Sequence, residues 1–289
     1  MSDTEIRLAI FGGTGEGKTS FVVQATDAPL EIGDDADSCT QDIQTGSVMI
    51  DGKKVTLIDT PGFDDTESKD TKIFEKIAVW LAESRAHGKY LHGVILVQSV
   101  SGARVPNSER QRTRLFKKII GEQFYNRVAI VTTMWDTTKK SKGEQGEHNR
   151  VSKPEIWGDM LAAGAKVFRF QNTKQSAIDV VRHYTENPFF SVPVSTLLQD
   201  ELVIYDGVLA KTSAAKQFDA DLGVKVEGLG NSKAEMGGDD ELPKVDEYIK
   251  DITDWRTQLK EIAITILAGV VKVFAPAVVD FVGSKCTIM

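Results

Sequence analysis

Eight residues near the start of the chain, Gly12-Gly13-Thr14-Gly15-Glu16-Gly17-Lys18-Thr19, spell G-x-x-x-x-G-K-[ST]. This string limits the possible folds because it works only between a strand and a helix. The strand fixes where the loop begins, and the helix N-terminus aims backbone N–H groups at an anion. Both flanks are readable. Ile6–Phe11 is an apolar strand-like run, and residues 19–25 read as helix. The glycines Gly12, Gly13, Gly15 and Gly17, with Thr14 and Glu16 between them, let the backbone turn inward onto phosphate oxygens. Lys18 can reach β- and γ-phosphates, the Thr19 hydroxyl can hold Mg²⁺, and Ser20 continues the same first helical turn.

Strand and helix patterns then alternate through the first two-thirds of the chain, which predicts an α/β fold with helices on both faces of a sheet. Strands are expected at 6–11, 43–50, 54–58, 92–97, 127–132 and 165–170, and helices at 19–25, 71–85, 108–120, 153–163 and 176–184. Asp51-Gly52 is a hairpin signal, so the second and third strands should be antiparallel within a mostly parallel sheet. The polar stretch 137–148 reads as a mobile loop.

Three further segments carry site chemistry. The apolar run 55–58 ends in Asp59-Thr60-Pro61-Gly62-Phe63. An acid there can hold a Mg²⁺ water shell, and the Gly62 N–H can report a γ-phosphate. Thr40, in the polar segment before the hairpin, can complete the metal shell; a plain turn residue is the competing reading. After the fifth strand, Thr133-Met134-Trp135-Asp136 places a carboxylate where it can accept from guanine N1–H and the exocyclic amine, a pattern adenine lacks. The usual form, [N/T]-K-x-D, has a lysine where Met134 stands. Asn172, within Phe170-Gln171-Asn172-Thr173, could contact the base or simply cap the next helix.

In this order the segments resemble the G domains of the TRAFAC GTPases, in the septin, Toc and immune-associated GTPase (GIMAP/IAN) group. The likeness rests on the Gly-Gly start at 12–19, on D-T-P-G-F at 59–63 and on 170–173, which is similar to that group's F-N-N segment. It is strongest to fungal single-G-domain proteins, whose S-C-T-x-x-[IV]-Q, I-D-T-P-G-F-D-D-T and V-T-T-M-W strings can be read at 38–44, 58–66 and 131–135. It covers roughly residues 5–215. The resemblance implies a Ras-like fold, Mg²⁺-dependent GTP/GDP binding, Thr40 as the metal-sensing threonine and a homodimer through the nucleotide face. The expected site is therefore Lys18, Thr40 and Gly62 for catalysis, with Thr19, Thr40 and Asp59 for the metal. Residues 12–20, Thr133, Asp136 and Asn172 would hold the nucleotide. Many G proteins orient the attacking water with a glutamine after D-x-x-G. Phe63 occupies that position, so turnover should be slow unless another group helps. Glu16, Asp64, Asp65 and Arg104 are polar candidates for that group. A scaffold that binds nucleotide without hydrolysing it is the rival reading.

Beyond Asn187-Pro188 the α/β pattern stops. The expectation is a G domain over 1–190, a helical extension over 191–222 (one helix through 194–218), a flexible Gly- and acid-rich linker over 223–243 and an amphipathic helical tail over 244–289. The tail ends in Cys286-Thr287-Ile288-Met289, a C-a-a-X pattern of the farnesyl type. Its apolar stripe, from Leu259 through Phe281, could span a membrane, dock on the G domain or lie in a membrane interface. The net charge of −7 argues against nucleic acid as partner. Two cysteines, Cys39 and Cys286, are too few for a disulfide framework, which favours a cytosolic setting, with a membrane's cytosolic face reachable through the tail.

Overall fold

The computed structural model describes residues 5–30, 43–63, 67–235, 242–267 and 270–274. Thr40, Cys39, Asp64, Asp65 and Cys286 lie outside the described residues.

Six strands form one sheet: β1 (Ile6–Phe11), β2 (Gln44–Ile50), β3 (Lys53–Asp59), β4 (Gly93–Ser99), β5 (Val128–Thr133) and β6 (Lys166–Arg169), in the order β2-β3-β1-β4-β5-β6. Only β2 runs antiparallel. It is joined to β3 by Asp51 and Gly52, with φ of 51° and 77°, the left-handed pair that a tight hairpin turn needs. β1, β4 and β5 are nearly continuous apolar runs because both faces are covered. Strand alternation sorts their side chains. Ile6, Leu8 and Ile10 pack with Phe21 and Val22 of α1 (Lys18–Thr26) and Val180 and Val181 of α6 (Lys174–Glu186). Ala9 and Phe11 point the other way, into a cluster with α2 (Glu67–Ala86) and α3 (Asn107–Ile120).

The 137–148 segment is not a loop. Residues Lys140–Val151 form α4. Its glycines, which read as loop signals, are close-approach positions. A Cβ on Gly143 would lie 2.8 Å from the Trp135 ring, and one on Gly146 would lie 2.9 Å from the Gly102 carbonyl. Arg150 then buries its guanidinium against Glu109 of α3 at 2.6 Å, which fixes the helix from its far end. A short π-turn (Pro154–Gly158) and α5 (Asp159–Ala162) follow where one helix over 153–163 is predicted.

The C-terminal third departs further from expectation. The segment 194–218 is two helices, α7 (Leu197–Ile204) and α8 (Ser213–Glu235), parted by Asp206 and Gly207 with φ of 51° and 79°. α8 takes in 223–235, the first half of the predicted linker. Phe218, Leu222, Val226 and Leu229 recur at helical spacing and pack into the core, so burial outweighs the low propensity of Gly223 and Gly228. Arg114 of α3 bonds Asp221 at 2.7 Å, and Arg256 of α9 (Leu242–Glu261) bonds Asp219 at 2.7 Å.

The long tail helix is also corrected. Helix ends at Glu261, and β7 (Ala263–Leu267) and β8 (Val270–Phe274) follow as an antiparallel pair, Thr265 opposite Lys272. The stretch is dense in β-branched Ile, Val and Thr, which suit a pleated strand better than a helix. Ile264 N–H donates to the Gly207 carbonyl and Leu209 N–H to the Ile262 carbonyl, so this segment is docked on the extension. Among the described residues no helix is long and apolar enough to cross a membrane.

Candidate functional site

The strand order reverses at β1, and the loops leaving the C-terminal ends of β1, β3, β4, β5 and β6 share one edge, where open α/β sheets place their ligands. The loop after β1 carries the phosphate-binding string. Gly15 and Gly17 sit at φ of 70° and 90°, the second as N-cap of α1, left-handed positions that glycine takes without strain. Lys18 is buried under the loop, its Nζ donating to the Gly13 carbonyl at 2.8 Å. Burial pushes its ammonium down from the ordinary value, against the pull of Asp59 and Glu16. Ser20 is half-buried on the first turn.

The loop after β3 lies directly over this cradle. Phe63 N–H donates to the Gly12 carbonyl at 3.3 Å, Thr14 N–H to the Phe63 carbonyl at 3.0 Å, and the Thr14 hydroxyl to the Gly62 carbonyl at 3.2 Å. A Cβ on Gly62 would fall 2.6 Å from Lys18 Nζ, so no side chain fits there. Thr60 is pinned by its hydroxyl to the Ile10 carbonyl at 2.6 Å. The Phe63 ring turns into the core beside α2 and α3 and cannot orient a water.

Thr19 and Asp59 meet as expected: the Thr19 hydroxyl donates to Asp59 Oδ2 at 2.7 Å. Asp59 is fully buried, and burial raises its pKa against the opposing effects of Thr19 and Lys18. Its second oxygen, Oδ1, has no hydrogen-bond partner although it is buried. A buried, unmatched carboxylate oxygen beside a hydroxyl is a hard-oxygen set that suits Mg²⁺.

Thr133 reaches back to the phosphate loop, its hydroxyl donating to the Glu16 carbonyl at 2.9 Å. It thus braces the loop through the backbone. Met134 follows at φ 64°, a left-handed conformation for a non-glycine residue, and leaves Asp136 exposed. Trp135 is held by its Nε1 to the Thr132 hydroxyl at 3.0 Å, with the Arg169 guanidinium stacked over its ring at 4.2 Å. Asn172 sits on the neighbouring loop, exposed, at φ 53°. It is not the helix cap: Thr173 is, with its hydroxyl accepting from Ser176 N–H.

The sequence matches the AIG1 family over residues 6–181. The chain belongs to the AIG1 family. It is therefore a G-domain protein of the TRAFAC class, in a GTP-binding family. A curated relative, GTP-binding protein A of Dictyostelium discoideum, is 32% identical over 133 residues, 45% of this chain and 28% of that protein. The match spans less than a third of that relative's length. Among solved structures, Toc33 from Arabidopsis thaliana in complex with Mg²⁺ and GMPPNP is similar at 15% identity over 59% of this chain and 72% of that one, with a TM-score of 0.49. Toc33 with GDP and Mg²⁺ gives 14% and 0.48 over the same shares. These likenesses are distant.

Within this AIG1 domain the predicted residues 12–20, Asp59 and Gly62 gather at one place, and Thr133 braces it. Asp136 and Asn172 leave adjacent parallel strands, in which Thr132 pairs with Arg169. Three features escaped the sequence reading. The Glu16 side chain does not face the site as a water-orienting group; it points beneath the loop and accepts from Gly13 N–H at 2.7 Å, Gln98 Nε2 at 2.7 Å and Arg112 at 3.0 Å. Gln98 and Arg112 had no signal, since neither belongs to a recognisable string. Burial raises the Glu16 pKa, with Arg112 the leading opposing influence.

Proposed function

We propose that this chain is a guanine-nucleotide switch or assembly GTPase whose own hydrolysis is slow and Mg²⁺-dependent. The observation that carries the reading is the Thr19–Asp59 contact, with a buried Asp59 oxygen left unmatched, beside Lys18 under a glycine-built amide cradle. The amides of Gly15, Gly17 and Lys18, with the Lys18 ammonium, would neutralise the polyphosphate. Thr19, Thr40 and the water shell of Asp59 would hold Mg²⁺, which supplies charge neutralisation between the β- and γ-phosphates. A γ-phosphate would compete for Thr14 N–H and draw the Gly62–Phe63 segment away from it. Asp136, with Asn172 beside it, would select guanine.

The buried Phe63 leaves the attacking water without an orienting side chain, and this supports slow turnover. It also favours the second reading, a scaffold that binds nucleotide and dimerises without hydrolysis. We place the missing group on a second protomer. Arg104 is exposed on the loop between β4 and α3, and that loop is held rigid by Asn149 bonding the Ala103 carbonyl at 2.8 Å and Arg150 bonding the Gly102 carbonyl at 3.0 Å. Attachment to a membrane's cytosolic face would need a prenyl group on Cys286. Intact mass of protein from a eukaryotic host checks it; an unmodified Cys286 removes the lipid from the proposal.

Titration with labelled GDP and GTP tests the core of the reading. Lys18→Ala should weaken binding by about a hundredfold, the worth of charge-assisted bonds to phosphate. Thr19→Ala should weaken it only when Mg²⁺ is present. Unchanged affinity in Lys18→Ala rejects the phosphate-loop assignment.

A further inference from the structure

Glu16 occupies a position beneath the phosphate loop that an apolar side chain could fill. Instead it brings a carboxylate into the core, almost wholly removed from solvent. Its three partners, the Gly13 N–H, the Gln98 amide and the Arg112 guanidinium, are all donors. These donors, the Arg112 guanidinium above all, favour the ionised carboxylate against the burial that raises its pKa. The pair is pressed against the loop's backbone: a Cβ on Gly13 would lie 2.9 Å from the Glu16 carboxyl carbon and 3.0 Å from the Arg112 guanidinium carbon. Both charges are also felt at Lys18, the residue that faces the phosphates.

Stability is a poor reason for such an arrangement. A buried ion pair returns little once its desolvation is counted, and an apolar filling is often as good. The charges do act on a polyphosphate, which carries several negative charges into the same cradle. A carboxylate under the loop opposes that ligand, and a guanidinium favours it.

We propose that Glu16 and Arg112 are a positioning pair that shapes the Gly12–Gly13 turn and sets the loop's affinity for nucleotide phosphates, the carboxylate lowering it and the guanidinium raising it. The inference rests on the nucleotide reading above and goes beyond it in assigning opposite roles to two side chains that need not touch the ligand. Arg112 also lines, with Phe63, Phe218 and Asp221, a cavity of about 500 Å³ between α3 and α8. A smaller side chain there opens onto this cavity, but losing one partner of the pair costs stability, which R112K keeps in place.

The test uses the full chain, measuring labelled-GDP dissociation and GTP affinity at fixed Mg²⁺ for the unaltered protein, E16Q, R112M, R112K and the E16Q/R112M double variant. E16Q keeps an oxygen for the Gly13 N–H, removes the charge and turns an NH2 toward Gln98, whose amide can rotate to accept it, so binding should tighten about tenfold, with slower release. R112M leaves the carboxylate uncompensated and should weaken binding about tenfold, while R112K should recover most of it. The double variant, with neither charge, should return to within about threefold of the unaltered protein. A merely structural pair gives a different result, with both single variants loosening the loop and weakening binding. Shifts in the same direction, or no shift in E16Q, overturn the proposal. If R112M fails to fold, the sign of the E16Q effect and the R112K value still decide it. An unaltered protein that binds adenine but not guanine nucleotides, with opposite shifts in the two variants, would keep the pair and overturn the guanine reading. A protein that binds neither overturns both.

Discussion

Asp136, the residue proposed to read guanine, follows a left-handed turn at Met134, directly after β5. That turn, with Trp135 anchored to Thr132, aims residue 136 out of the sheet into solvent. A carboxylate there offers two acceptors, whereas an amide offers one acceptor and one donor. Asp136→Asn should therefore lower GTP affinity by about thirtyfold and raise the relative affinity for xanthine nucleotides. Competition binding against GTP, XTP and ATP reads this out, and unaltered base preference would move the role to Asn172. At this scale the sequence is most legible where chemistry is local. Lys18, Thr19 and Gly62 could be named because their neighbours lie within a few residues or in a second recognisable string. The Glu16 side chain could not be placed, because Gln98 and Arg112 are 82 and 96 residues away and meet it only through the fold.

His92, just before β4, illustrates how packing sets a pH dependence. Its Nδ1 accepts from the Arg7 N–H at 3.0 Å, which requires an unprotonated ring nitrogen. Burial first, then the nearby Arg127 and Arg7 charges, hold its pKa down to about 4, with Glu5 pulling weakly the other way. The unfolded chain takes up this proton near the ordinary histidine value of about 6.5, well before the folded chain does. Folding stability should then fall as pH drops from about 6.5 toward 4, by about 3 kcal/mol in full, and be unaffected above that window. Carboxylates titrate in the same range, so the comparison is with His92→Asn, whose oxygen can still accept from Arg7. Urea denaturation at pH 7 and pH 4.5 should show a smaller loss in the variant; equal losses would count against the assignment. Elements with strict alternation or helical spacing matched expectation to within a residue or two, except that α2 begins four residues early, at Glu67. The helices α4 and α8 did not, because their glycines serve close packing or are carried by burial, neither of which appears in local propensity. The β7–β8 pair was misread because a β-branched run with one narrow polar face satisfies both periods, and contact with Gly207 and Leu209 decided between them.

For the whole molecule, the sheet edge that carries the G-x-x-x-x-G-K-T loop and the C-terminal extension are joined through α3. This helix carries Arg112 beneath the phosphate loop, Glu109 against Arg150 of α4, and Arg114 against Asp221 of α8. Phe218, Leu222, Ile252, Leu259, Ile262 and Ile264 of the extension thus share one core with α2 and α3. The sheet edge that holds the P-loop remains the surface on which a second protomer would complete the site. If Arg104 is the group supplied across that surface, phosphate release per molecule should rise with protein concentration, because the active species is the dimer. Arg104→Ala should remove most of that rise, by about a hundredfold in the dimer-dependent rate, while GDP affinity stays within about twofold. Mixing Arg104→Ala with Lys18→Ala protein is the sharper arm. One chain lacks the donated arginine and the other, at a GTP concentration far below its weakened affinity, stays empty, so a mixed dimer has one complete site: bound nucleotide in the first, arginine from the second. Activity recovered on mixing two inactive proteins requires donation between protomers. Flat specific activity across a wide dilution series, with no recovery on mixing, would instead place any hydrolysis within a single chain and leave the scaffold reading ahead.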